Sequence, residues 1–103
     1  PVLDSAAFYA DCRALLSDTG SMTVNLFGRA SSFDRSLKSM AQAFGDDALW
    51  AFKPTREGNT VVLAQRTASR LKLAELVARA EAVQDRWGLP ASKWLRVFKP
   101  VAA

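Results

Sequence analysis

LWAFKPTREGNTVVLAQRT, residues 49–67, decides the fold. Leu49 to Lys53 reads as a short strand, Pro54-Thr55-Arg56-Glu57-Gly58 as a hairpin loop, and Asn59 to Thr67 as a second strand. In that second strand Val61 and Leu63 alternate with Val62, Ala64 and Arg66. The near-continuous apolar run from Val61 to Ala64 suits a central position in a sheet. Helical periodicity flanks the hairpin on both sides. Before it, Phe33, Leu37, Met40, Ala41 and Phe44 form one stripe, with Ser31 or Ser32 as cap and Gly45 as stop. After it, Leu73, Leu76, Val77, Ala80, Val83 and Trp87 form another, capped by Thr67 or Ser69 and ended by Gly88 and Pro90.

Further out, Met22, Val24 and Leu26 alternate with Thr23, Asn25, Phe27 and Arg29, which predicts a half-buried strand. Trp94, Arg96 and Phe98 alternate with Leu95 and Val97, which predicts a final one. The order over residues 21–99 is then strand, helix, strand, strand, helix, strand. It predicts a single α+β domain with a ferredoxin-like βαββαβ core, a four-stranded antiparallel sheet and two helices on one face. An added N-terminal helix spans 4–18. Asp4 serves as its N-cap, Phe8, Cys12, Leu15 and Leu16 share a face, and Asp18-Thr19-Gly20 makes a left-handed end. Phe52-Lys53-Pro54 and Phe98-Lys99-Pro100 echo each other, as matching ends of the two edge strands of such a sheet.

The 103 residues fit one domain, and with half of them hydrophobic and 23% charged the composition is globular. Asp4 and Asp11 interrupt the first apolar stretch, so it does not resemble a signal peptide. No run approaches the roughly 20 apolar residues of a membrane span. One cysteine forms no internal disulfide. A cytoplasmic protein without membrane contact is expected. The net charge of +4 and a pI near 9.7 admit an acidic partner, first of all nucleic acid.

The chain has no histidine, hence neither the commonest general base nor the commonest metal ligand. Cys12 lies on an apolar helical face and has no activating histidine. Asp46-Asp47 reads as a solvated turn. Neither a P-loop nor a dinucleotide fingerprint occurs. No catalytic residue, metal or cofactor is expected. The best anion-site candidate is Arg29 with Ser31 and Ser32, where a strand end meets a helix N-terminus.

Val24 to Arg29, Trp50 to Gly58 and Thr60 to Leu63 are similar in order and spacing to acylphosphatases. These are small βαββαβ enzymes with a Gly-Arg strand end, a phosphate-cradling loop and an essential arginine and asparagine. That resemblance implies a topology over about three quarters of the chain. It does not imply the chemistry, since the loop after Arg29 is short and lacks glycine, and Lys53 stands where the asparagine is expected.

The sheet offers a richer constellation. If Val24, Leu26, Val61, Leu63, Leu95 and Val97 face the helices, then Phe27, Arg29, Trp50, Phe52, Arg66, Trp94, Arg96 and Phe98 share the other face. Aromatics interleaved with arginines on an open sheet resemble the base-stacking platform of RNA-recognition domains, although the third strand carries no aromatic. The expectation is a non-enzymatic binding or regulatory module whose first candidate partner is nucleic acid. The alternative is a protein-interaction module, a small inhibitor or dimeric adaptor using the same face or an edge strand against an acidic protein or a second copy. An anion-processing enzyme is the third reading.

Overall fold

A computed structural model describes residues 2–27, 30–69 and 71–101. It is an α+β protein with one four-stranded antiparallel sheet and four helices. The elements are α1 (Ala6–Leu15), β1 (Ser21–Leu26), α2 (Ala30–Phe44), β2 (Leu49–Phe52), β3 (Thr60–Gln65), α3 (Leu73–Trp87), α4 (Ala91–Trp94) and β4 (Phe98–Pro100). None of the helices described is long and apolar enough to cross a membrane.

The hairpin forms as read. β2 and β3 pair with Trp50 opposite Leu63, and Thr55 closes the loop by accepting the Asn59 N–H on its hydroxyl. The spatial order is β1-β3-β2-β4, not the 4-1-3-2 order of a ferredoxin-like sheet. β2 is therefore central, and the edges are β1 and β4. Nor do α2 and α3 share a face. Met22, Val24, Leu26, Leu49, Ala51, Val62 and Ala64 pack with Tyr9 of α1 and Met40 and Phe44 of α2. The alternate residues Trp50 and Phe52, with Phe98 of β4, turn the other way, toward Leu76 of α3. This corrects the inward assignment of Val61 and Leu63, because Val62 and Ala64 are the fully buried pair. The physical cause is α1. It packs beside α2 and fills the face on which a second crossover helix would lie. α3 is left to cover the opposite face.

Local signals decide the ends. Ser5, not Asp4, caps α1, its hydroxyl accepting the Phe8 N–H. Helix α1 stops at Leu15, which is solvent-exposed, while Tyr9 supplies the buried contact. Gly20 sits in close quarters: a Cβ there would lie 3.0 Å from the Ser17 hydroxyl and 3.1 Å from the Ser17 backbone nitrogen. Its backbone is not left-handed, unlike that of Gly88, whose φ of 69° ends α3 with an N–H bond to the Gln84 carbonyl. Thr67 and Ser69 do not cap α3, which begins only at Leu73. The Thr67 hydroxyl donates to the Asp18 carbonyl and the Ser69 N–H to Gln65 Oε1. Residues 94–97 are not a strand. Successive turns (Arg96 N–H to Lys93, Val97 N–H to Trp94) follow α4, and β4 starts at Phe98.

A buried polar lock joins the N-terminus to α1 and α2. Asp4 accepts hydrogen bonds from the Tyr9 hydroxyl and, at 2.7 Å, from Ser36 Oγ. Burial, and then the hydrogen bond and charge of Asp4, push the Tyr9 phenol well above its ordinary value of 10. The fold holds Tyr9 neutral, whereas the unfolded chain ionises it near pH 10. Its contribution is therefore complete below about pH 10 and declines as pH rises above that. The unfolding midpoint is expected to fall more steeply above pH 10 in the native chain than in Tyr9→Phe. Parallel denaturation series at pH 8 to 11 check this.

Candidate functional site

The structure brings together four of the eight residues expected to form a binding face: Trp50, Phe52 and Phe98 on the sheet and, from α4, Trp94. Trp50 stacks on Phe98 with ring centroids 4.9 Å apart and planes 9° from parallel, and Phe52 lies 4.8 Å from the same Phe98 ring. The register explains the approach. Val101 N–H bonds to Leu49 O and Lys53 N–H to Val97 O, so Phe52–Phe98 and Trp50–Pro100 are non-hydrogen-bonded pairs, whose side chains sit closest. Trp50 is only 3% exposed, and its indole N–H donates to Gln65 Oε1. One ring face is taken by Phe98, and so little of the indole reaches solvent that it presents no open platform for a base.

The other four go elsewhere, and Trp94 reaches the group from a helix rather than from a strand. Arg66 points back to the end of α1, where its guanidinium donates to the Leu16 and Ala14 carbonyls. A cation is favoured at a helix C-terminus, so this is an anchor. Trp94 sits on α4, half out of the apolar cleft that it lines with Phe52, Val83 and Phe98. Arg96 is exposed in the turn before β4, beside Lys53 and Lys99. Phe27 follows β1 and is 66% exposed. Arg29 lies outside the described residues. Of the anion-site pair, Ser31 is exposed and Ser32 half-buried. Both lie inside the first turn of α2 rather than at its cap, and Ser32 shares a cleft with Asp4. A carboxylate already stands beside that helix end.

What the strand alternation did not reveal is the surface of α3 and α4. The apolar stripe of α3 is only partly covered. Ala80 is buried and Leu76 and Val83 half-buried, but Leu73 is 70% and Trp87 61% exposed, with Val77 also in solvent. With Leu89 and Trp94 these make five of the eight large apolar side chains exposed among the described residues. The Arg86 guanidinium lies 4.6 Å over the Trp87 ring. Between α3 and the sheet runs a cleft of about 760 Å3 with Trp50, Leu71, Leu76 and Phe98 in its walls and Asp46, Asp47 and Lys99 also lining it. Charge follows the same segment: Arg66 to Lys99 holds eight of the 14 basic residues and three of the ten acidic ones. That skew was legible in the sequence as a difference between its two parts. The chain-wide net charge hides it.

Among the described residues no group of histidine, cysteine or carboxylate side chains is placed to hold a metal ion. No protein-family model, curated protein or solved structure matches the chain.

Proposed function

We propose that the protein is a cytoplasmic, non-enzymatic interaction module that docks a protein partner on the apolar surface of α3 and α4. One observation carries this reading: Leu73, Val77, Trp87, Leu89 and Trp94 stand exposed within one segment of 22 residues. Single exposed apolar residues are ordinary, whereas five gathered on one helix and its continuation mark an interaction surface. Tryptophan and arginine are also the residues that most often dominate protein interfaces.

Nucleic acid is the second reading, favoured by the excess of basic residues between Arg66 and Lys99. Two features weigh against it. The exposed residues at the start of α3 are aliphatic, and Glu75, Glu81 and Asp85 on the same helix would repel a phosphate backbone. The platform needed for stacking is consumed by the Trp50–Phe98 contact.

The test is capture from nuclease-treated extract, using the native chain beside a Leu73→Glu/Trp87→Ala variant. Both altered residues are mostly exposed, so the variant should keep its circular dichroism and Tm. Protein partners retained at high salt by the native chain and lost by the variant are expected. Oligonucleotide binding that falls steeply with salt, with no protein retained, would replace this reading with the second.

A further inference from the structure

The two edges of the sheet are built differently. β4 has three residues, and two of them are Lys99 and Pro100. In the β2–β4 register the N–H that Pro100 lacks would have pointed away from β2, toward the open edge. The proline therefore costs no ladder bond and removes a donor from that edge, and the lysine adds charge. Short length, lysine and proline are the usual guards against another strand.

β1 has none of them. It is six residues long, with the sequence Ser-Met-Thr-Val-Asn-Leu and no charge, proline or glycine. Its outward groups follow from the ladder. Arg66 N–H bonds to the Gly20 carbonyl, and every β1–β3 pair keeps that same offset. Gly20, Met22, Val24 and Leu26 are thus the residues that exchange bonds with β3. Ser21, Thr23 and Asn25 turn their N–H and C=O groups to the open edge, and all three side chains are exposed.

We propose that β1 pairs antiparallel with β1 of a second copy of this chain, centred on Thr23, to make a continuous eight-stranded sheet. A two-fold axis through Thr23 sets Ser21 opposite Asn25 of the partner subunit and Thr23 opposite Thr23 of the partner subunit. These are the residues with outward backbone groups, so the pairing forms six N–H···O=C bonds. The faces also match. Met22, half-buried beside α1 and α2, meets Val24 of the partner subunit on the apolar side. Threonine meets threonine on the polar side, a favourable cross-strand pair. Self-pairing usually fails where like charges face each other across a two-fold axis, and here no charged side chain lies on the strand. Phe27, which extends β1, reaches the turn of the partner subunit that precedes its own β1. The absence of charge gives the edge no means of selecting a charged foreign strand, and its pattern is complementary to itself.

The test is solution mass by analytical ultracentrifugation over a micromolar to millimolar dilution series. The native chain and the α3 variant Leu73→Glu should both reach twice 11.2 kDa. Thr23→Pro copies the device of Pro100, removing only an outward donor, and Thr23→Lys adds a charge at the axis. Both should stay monomeric with unchanged circular dichroism. Amide exchange gives a readout independent of any variant. In the native chain, dilution should selectively accelerate Ser21, Thr23 and Asn25, leaving Met22 and Val24 protected. A native chain monomeric at the highest concentration overturns the proposal. So does a dimer that survives Thr23→Lys. A dimer lost in Leu73→Glu would assign self-association to α3 instead, and would overturn the β1 pairing along with the reading of α3 as a surface for a different protein.

Discussion

Trp50→Ala is expected to lower stability by about 3–5 kcal/mol, the usual cost of truncating a large buried aromatic. A domain of this size has about 5–15 kcal/mol in total, so the variant should be near unfolding at ordinary temperatures. The effect has an identifiable path. Trp50 is the only β2 residue whose ring lies flat against Phe98, and its indole N–H holds Gln65, which in turn receives the Ser69 N–H on the way to α3. Removing the ring takes cover from Phe98 and the floor from the cleft beneath Leu76. Loosening should therefore begin in α3 and α4 and spread to the sheet. Urea titration followed by the fluorescence of Trp87 and Trp94 measures it, with far-UV circular dichroism for the sheet. Trp50→Phe keeps a ring but loses the Gln65 bond, so the hydrogen-bond share of its cost is about 1 kcal/mol. If Trp50 served instead as an exposed stacking platform, its loss would leave stability unchanged.

Asp4→Ala is expected to cost about 2–5 kcal/mol, because it strands two hydroxyls at once. Ser36 and Tyr9 are both buried, and each donates to this carboxylate. A buried donor deprived of its partner costs about 1–3 kcal/mol, more than an average hydrogen bond contributes. The double variant Asp4→Ala/Tyr9→Phe should recover part of the loss, since the phenol is no longer left unpaired. That non-additivity, read from denaturant midpoints of the two single variants and the double, is the signature of the lock. Purely additive losses would show that Asp4 acts through local helix geometry alone.

The hairpin of residues 49–67, the apolar stripe of α2 and the left-handed end of α3 at Gly88 were legible in the sequence, because each rests on neighbours within a few positions. The final strand was misplaced for the same reason. Over five residues the alternation of Trp94, Arg96 and Phe98 cannot be told from a run of three-residue turns. The candidate site was legible only in part. The shared face of Trp50, Phe52 and Phe98 followed from strand period, but not the fact that α3 closes over it.

By itself, the sequence determined the helix and strand segments up to α3, though not α4 or the start of β4, that β2 and β3 form a hairpin, and that the resulting class is α+β. Periodicity, turn residues and caps are local, and they act before any long-range contact forms. Only the tertiary structure decided the strand order, the side of the sheet taken by each helix, and hence which aromatics are core and which are surface. Those choices depend on competition for a limited apolar face. α1 occupied the place beside α2, which sent α3 to the other side of the sheet, buried Trp50 and left Trp87 in solvent.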